Sequence, residues 1–229
     1  MTSRFIEALL AAETPVIMEI KARDAAGTDL TDGRSPADLA SAYETAGAPC
    51  LSVVTGRWFG GDRDMLRAVA ARTDLPILQK DFITSDADLE RARDLGASAV
   101  LLTAALLSAG TLASRIDRCL AVGLTPFVEV VSEGEIQTVT HVADCVIAVN
   151  NKDIRDRETG AADIGRSLSL LPAVRATGTR CPVSASGITT PEIAATLLDA
   201  GYAGLLIGTG LLRAPSLTTW RDALAEGRR

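Results

Sequence analysis

Eight short apolar runs recur along the chain, each as long as a β-strand and separated from the next by a more polar, helix-like segment. Consecutive apolar positions are typical of parallel strands buried on both faces. Eight strand–helix units close a barrel, and 229 residues suit one domain, so the pattern predicts a single (β/α)8 (TIM) barrel, of the α/β class, over residues 1–229. The runs are Pro15–Lys21, Pro49–Thr55, Pro76–Phe82, Ala99–Ala104, Thr125–Val131, Cys145–Asn151, Pro182–Gly187 and Gly204–Gly210.

Signals for helix starts and ends lie between these runs. Ser35 and Thr190 each precede a proline, a combination that caps a helix and begins it, and Ser132 with Glu135 has the spacing of a capping box. Glycines that can end a helix with a positive φ are Gly47, Gly96, Gly123 and Gly201.

An open, doubly wound sheet is the alternative fold, although no strand is followed by a GxGxxG motif.

Composition narrows the classes of partner. The net charge of −6 argues against nucleic acid or an anionic membrane, and it requires local donors to hold any phosphorylated ligand. The chain has no apolar stretch of 18 residues and no basic start followed by a long apolar segment, so we expect a cytoplasmic protein. The four widely spaced cysteines are expected to be buried thiols: Cys50, Cys119, Cys145 and Cys181.

Polar side chains interrupt the apolar strands near their carboxyl ends. Five such groups stand among Val, Leu and Ile, and Glu19 and Lys21 are two apart, so their side chains point to the same side of the strand. A buried ion-pair network that only closes the barrel floor is the structural alternative, but apolar packing usually replaces such a network without loss. The five groups are Glu19, Lys21, Lys80, Glu129 and Asn150, and we predict that the two lysines and two glutamates form a proton-transfer centre.

Small residues end the seventh and eighth strands, in Ser186-Gly187-Ile188 and Gly208-Thr209-Gly210. Such residues let backbone N–H groups approach an anion, and these two loops are the usual phosphate position of the barrel fold. Simple tight turns are the alternative. Trp58 and Phe59, after the second strand, either cover an aromatic ligand or pack the loop.

Eight segments carry a resemblance to a known family. They are Phe5–Leu9 (FIEAL), Val16–Lys21 (VIMEIK), Leu51–Gly61 (LSVVTGRWFGG), Ile77–Ile83 (ILQKDFI), Phe127–Val130 (FVEV), Val149–Asp153 (VNNKD), Ser184–Ile188 (SASGI) and Leu206–Leu212 (LIGTGLL). Together they resemble the indole-3-glycerol phosphate synthase family, and the likeness runs from about Phe5 to the C-terminus.

The resemblance implies a carboxy-lyase of tryptophan biosynthesis. In that family the substrate is 1-(2-carboxyphenylamino)-1-deoxyribulose 5-phosphate. The ring carbon that bears the carboxylate attacks the C2′ carbonyl, CO₂ leaves, and loss of water gives the indole. No metal or organic cofactor takes part, and the expected partner is a small phosphorylated substrate.

The resemblance also assigns roles residue by residue. Lys80 becomes the general acid that protonates the carbonyl oxygen, Glu129 its electrostatic partner and a proton carrier during dehydration, and Glu19 completes the acid–base set. Lys21 lies near the phosphate and the reacting hydroxyls, and Asn150 orients substrate hydroxyls. The residues expected to bind the rest of the substrate are Lys152, Phe59, Ser186, Gly187, Gly208 and Thr209.

The chain departs from the family pattern at several positions. Asp24-Ala25-Ala26 replaces a Ser-Pro-Ser stretch, Ala185 replaces a glutamate, and Gly56 stands where an acidic residue is expected. Lys152 replaces the arginine expected to face the anthranilate carboxylate, which keeps the charge but loses the bidentate fork. Only 14 residues precede the first strand, so most of the helix that covers the site in the family is expected to be absent.

Two other functions stay open at this point. A non-catalytic or repurposed phosphate-binding barrel could act as a partner subunit in a biosynthetic complex, and another phosphate-binding barrel, such as a sugar isomerase, could share the fold. Neither explains five buried polar groups or the Lys-Asp-Phe strand as well. The sequence does not fix the oligomeric state, and it is compatible with a homo-oligomer.

Overall fold

A computed structural model describes residues 3–152 and 160–228 and forms a closed eight-stranded barrel. The strands follow one another around it in chain order, and every neighbouring pair is parallel. Val16 pairs with Leu205, which joins the first strand to the last and confirms the predicted barrel over the open sheet. The strands are β1 Val16–Ile20, β2 Cys50–Val54, β3 Ile77–Lys80, β4 Ala99–Thr103, β5 Thr125–Val130, β6 Val146–Asn150, β7 Cys181–Ala185 and β8 Gly204–Ile207.

The helices begin largely at the caps that the sequence predicts. Ser35 and Thr190 each accept a hydrogen bond from a backbone N–H of the first turn. Ser132 accepts from the backbone N–H of Glu135, while the Glu135 carboxylate accepts from the N–H of Val131, one residue before the cap. All four predicted terminating glycines have a positive φ. The helices are α1 Arg4–Leu10, α2 Pro36–Thr45, α3 Arg63–Ala70, α4 Asp86–Asp94, α5 Ala109–Ala121, α6 Glu133–Ile136, α7 Ile164–Ala176, α8 Pro191–Ala200, α9 Thr209–Leu212 and α10 Leu217–Gly227.

Alternate residues of each strand belong to two separate apolar clusters. In β1, Val16, Met18 and Ile20 pack outward with the helices, whereas Ile17 packs with the cluster inside the barrel. This alternation follows from the period of two in a β-strand. A polar residue two positions beyond an interior apolar residue therefore points into the barrel as well.

Helix α1 closes the amino end of the barrel with apolar side chains. Phe5 is fully buried and meets Phe127 edge to face, with ring centroids 6.3 Å apart. Ser3 Oγ and Thr125 Oγ1 are 2.6 Å apart at the start of β5. A Cβ on Gly204, the first residue of β8, would lie 2.7 Å from Leu9 Cδ2, so Leu9 fills that space. The floor of the barrel is thus apolar, and the polar strand residues are left to its other end.

The expected thiols are confirmed, since all four cysteines are free and buried. Within the described residues, no helix combines the length and the apolar character that crossing a membrane would require.

Because Phe5 plugs the floor, Phe5→Ala should lower the free energy of unfolding by about 3–5 kcal/mol, the usual cost of removing a buried ring. Leu10→Ala, on the same helix but 37% exposed, should change it by less than about 0.5 kcal/mol. Chemical denaturation of both variants measures the difference. Equal losses would contradict the role of α1 as a plug.

Candidate active site

Glu19 lies between two lysines at the carboxyl end of the barrel. Its Oε1 is 3.1 Å from Lys21 Nζ, and its Oε2 is 3.3 Å from Lys80 Nζ. The Glu19 side chain is 3% exposed and the two lysine side chains are each 12% exposed. One carboxylate therefore contacts two ammonium groups in a place nearly shielded from water.

The interior side of β1, β3 and β5 supplies this cluster. Lys80 and Glu129 each follow an interior apolar residue, Leu78 and Phe127, by two positions. A small cavity of about 30 Å³ is lined by Glu19, Lys80 and Glu129 together. The cluster thus lies at the carboxyl end, away from the apolar floor, and the floor-closing network is excluded.

A larger cavity of about 470 Å³ opens above this cluster. Gly208 brings the end of β8 close to the ion pair, because a Cβ there would overlap Glu19 Oε1 and lie 3.2 Å from Lys21 Nζ. A Cβ on Gly210 would lie 2.6 Å from the carbonyl oxygen of Ile188, so the loops after β7 and β8 are in contact. These two loops form one wall of the cavity.

The loop after β7 has an uncommon backbone. Ser186 has a φ of +68° and Gly187 a φ of +74°, both in the left-handed region. A side chain on Gly187 would overlap Ala162, so a glycine is required there for space as well as for conformation. A serine in this region is strained and needs support from its surroundings.

The structure brings most of the predicted residues together. Glu129 lines only the small, deep cavity, and Asn150 lines neither, since it is fully buried and its Oδ1 accepts a hydrogen bond from the backbone N–H of Lys152. The Trp58 side chain and Asp153 lie outside the described part of the chain. The predicted residues that line the large cavity are Glu19, Lys21, Phe59, Lys80, Lys152, Ser186, Gly187, Gly208 and Thr209.

Two charged residues of the large cavity were not predicted as site residues. Arg213 and Asp24 both line it, and their side chains form an ion pair of 2.7 Å between the loops after β8 and β1. The pKa of Asp24 is lowered, mainly because its carboxylate accepts a hydrogen bond from the backbone N–H of Thr28. A second bond, from the backbone N–H of Ala26, acts in the same direction. Arg213 and Asp24 are 189 residues apart in the chain, so no local spacing in the sequence pointed to this pair.

The charges around the large cavity are mostly positive. Burial alone would raise the pKa of the Glu19 carboxyl, but the charges of Lys80 and Lys21 outweigh burial and hold the pKa below its ordinary value of 4.5. Glu19 and Asp24 are the two described carboxylates that line the cavity, against four cations: Lys21, Lys80, Lys152 and Arg213. The cavity therefore favours an anion although the whole chain is negative.

Within residues 3–152 and 160–228, no three His, Cys, Asp or Glu side chains are grouped so as to hold a metal ion.

A closed (β/α)8 barrel with ionisable groups gathered at the carboxyl ends of its strands has the architecture of a barrel enzyme. The sequence model of the family described as "Indole-3-glycerol phosphate synthase" matches residues 1–224. The chain therefore belongs to the indole-3-glycerol phosphate synthase family.

Curated relatives with the same name cover most of this chain. The indole-3-glycerol phosphate synthase of Pyrococcus furiosus is 38% identical over 205 residues, which are 89% of this chain and 88% of the relative. The indole-3-glycerol phosphate synthase 2 of Streptomyces coelicolor is 37% identical over 92% of this chain and 80% of its own. That of Thermococcus kodakarensis is 36% identical over 94% of both chains. These names give no support to a non-catalytic partner subunit.

The lowered pKa of Glu19 gives a pH-dependent prediction. Stability from a carboxylate of lowered pKa is present above its unfolded-state pKa and is lost as the pH falls through its folded-state pKa. At pH 7, Glu19→Gln should cost about 3–5 kcal/mol, because it removes the carboxylate that two largely shielded lysines share. The gap in melting temperature between variant and parent should then shrink as the pH falls below 4.5.

Thermal unfolding from pH 7 to pH 3 measures this gap. Glu133→Gln makes the same chemical change at an exposed position and should leave the melting temperature within about 2 °C of the parent at each pH. A Glu19→Gln gap that stayed constant with pH would contradict the ionised state of Glu19.

Proposed function

We propose that this chain catalyses the closure of the indole ring from 1-(2-carboxyphenylamino)-1-deoxyribulose 5-phosphate, with loss of CO₂ and water. One observation carries the proposal: the Glu19–Lys21–Lys80 cluster lies at the base of the same cavity whose wall is formed by the loops at Gly187 and Gly208. An acid–base centre and an anion-binding wall are thus within reach of one phosphorylated substrate.

The phosphate end of the substrate lies against the loops after β7 and β8. Ser186, Gly187, Gly208 and Thr209 line the cavity there, and small residues allow the backbone close to an anion. Lys21 supplies a nearby positive charge while it is held by Glu19 at 3.1 Å. These groups supply the local attraction that a chain with a net charge of −6 needs for a dianionic ligand.

Lys80 acts as the general acid of the ring closure. As the ring carbon bonds to C2′, the electron pair of the carbonyl moves onto its oxygen, and the Lys80 ammonium gives that oxygen a proton. CO₂ then leaves, and the pair from the broken carbon–carbon bond restores the aromatic ring. Glu19, 3.3 Å from Lys80 Nζ, favours the protonated form that this step requires.

Dehydration requires a second transfer of protons. The new hydroxyl leaves as water when it is protonated, and the neighbouring carbon loses a proton as the double bond forms. Glu129 lines the same small cavity as Lys80 and Glu19, which supports the proposal that it carries a proton in this step. Asn150 is fully buried and lines neither cavity, so its role in orienting substrate hydroxyls stays a prediction from the sequence.

The aryl end of the substrate meets Phe59 and Lys152, both of which line the large cavity. Lys152 offers one point charge to the anthranilate carboxylate in place of the fork of an arginine. Asp24 adds a negative charge to the same cavity, and the interior position of β7 is Ala185, which cannot carry a proton. Turnover should therefore be slower than in family members that have serine and glutamate at these two positions.

The direct test is to incubate the chain with the carboxyphenylamino-deoxyribulose phosphate and to follow indole fluorescence. Lys80→Ala should lower kcat by at least about 100-fold, the usual contribution of a positioned general acid. Arg67→Ala is the control, because it removes an exposed cation that lines neither cavity, and it should leave kcat unchanged. A Lys80→Ala rate equal to that of the parent would refute the assigned role.

Inorganic phosphate tests the other end of the site. Phosphate at 100 times its Kd should stabilise the chain by about 2.7 kcal/mol and raise the melting temperature. Gly208→Ala should weaken this response because the new methyl group overlaps Glu19 Oε1, whereas Gly110→Ala adds its methyl group in open space. No shift of the parent at millimolar phosphate, or equal shifts in both variants, would count against binding at this loop.

A further inference from the structure

Asn151, next to the predicted site residue Asn150, is fully buried behind the loop after β7. Its Nδ2 donates to Ser184 Oγ at 3.1 Å and to the backbone carbonyl oxygen of Ser186 at 3.0 Å. Its backbone N–H donates to the carbonyl oxygen of Ala185 at 2.9 Å. One residue after β6 thus holds three consecutive positions at the end of β7 and in the loop that follows it.

The hydrogen bonds around Asn151 form a ring with a fixed direction. Ser167 Oγ donates to Asn151 Oδ1 at 2.7 Å, so its single hydrogen is used, and it must accept from Ser184 Oγ, also at 2.7 Å. Ser184 Oγ in turn accepts from Asn151 Nδ2. Because a carbonyl oxygen only accepts, the amide nitrogen must face Ser186, and the second amide hydrogen is reserved for that carbonyl.

Ser186 is the residue that needs such support. Its φ of +68° is strained for a residue with a Cβ, and both Ser186 and Gly187 line the large cavity. The backbone direction at Ser186 decides whether the following N–H groups face the cavity. A bond that fixes the Ser186 carbonyl therefore also fixes the Gly187 N–H, the donor on the opposite side of the same peptide.

We propose that Asn151 is a positioning residue for phosphate binding: it holds the loop after β7 in its left-handed conformation through the bond to the Ser186 carbonyl. This inference rests on the proposed function, since it assumes that the phosphate lies at this loop. Asn151 does not line the cavity, and it acts on the ligand only through Ser186 and Gly187.

Ser167 provides the matched control within the same ring. Its hydroxyl bonds to Asn151 and Ser184, but it has no hydrogen bond to Ser186, and its backbone carbonyl accepts from the Tyr202 hydroxyl at 2.7 Å. Ser167→Ala should therefore lower the melting temperature while the Asn151–Ser186 bond persists. A residue that served stability alone would behave in the same way as Ser167.

The first experiment compares Asn151→Asp with Ser167→Ala in phosphate titrations and in turnover. Asn151→Asp places a carboxylate oxygen against the Ser186 carbonyl, so the Kd for phosphate and the KM should each rise about tenfold or more, with kcat within about threefold of the parent. Ser167→Ala should leave both constants within about twofold of the parent. Unchanged constants in Asn151→Asp, or the same rise in Ser167→Ala, would overturn the proposal.

A second experiment uses glycine at the strained position, for the case that Asn151→Asp does not fold. Asn151→Ser is too short to reach the Ser186 carbonyl, and glycine takes a positive φ without support. The rise in the phosphate Kd caused by Asn151→Ser should be about tenfold in the parent and below about threefold in a chain carrying Ser186→Gly. An equal rise in both chains would contradict the positioning role.

Different results would contradict the proposed reaction and the positioning role of Asn151. A parent chain that binds phosphate without turnover would contradict the proposed reaction, while the phosphate titrations of the Asn151 variants would still decide the positioning role. A parent chain that turns over, with Asn151 variants whose phosphate Kd and KM are unchanged, would overturn the positioning role alone.

Discussion

The site depends on one carboxylate that serves two ammonium groups in a poorly hydrated place. Glu19 is nearly inaccessible, and neither Lys21 nor Lys80 has more than 12% of its side chain exposed. Isolated charges at such positions would cost several kcal/mol each, so Glu19 and the two lysines stabilise one another in their charged forms. This mutual dependence fixes where the Lys80 ammonium lies, and a fixed ammonium is what an oriented proton transfer needs.

The barrel can carry this cluster because it separates its two ends. Alternation along each strand directs one set of side chains to the helices and the other into the barrel, and α1 fills the amino end with Phe5 and Leu9. Interior positions at the carboxyl end can therefore carry charge without opening a hole in the core. Gly208 then allows the end of β8 to approach Glu19, which brings anion binding and proton transfer into one cavity.

Local signals in the sequence predicted the elements and much of the cluster. Eight apolar runs predicted the strands, and the period of two predicted that Glu19 and Lys21 share one side of β1, because both properties depend on neighbours within a few residues. The Asp24–Arg213 pair joins residues 189 apart, and the ring around Asn151 joins partners 16 and 33 residues away. No local pattern encodes such contacts. The burial of Asn150 outside both cavities likewise depends on how neighbouring strands meet.

The ion pair between Asp24 and Arg213 spans the seam where β8 meets β1. During synthesis, β1 leaves the ribosome long before β8 is made. The edge of β1 that pairs with β8 therefore stays unpaired until the end of the chain is available. The anion-binding wall and the Glu19–Lys21 pair lie on opposite sides of that seam, because the wall belongs to the loops after β7 and β8 and the pair to the end of β1. A nascent chain interrupted before β8 would lack the Gly208 loop that completes the wall beside Glu19, so ligand binding is a property of the finished chain alone.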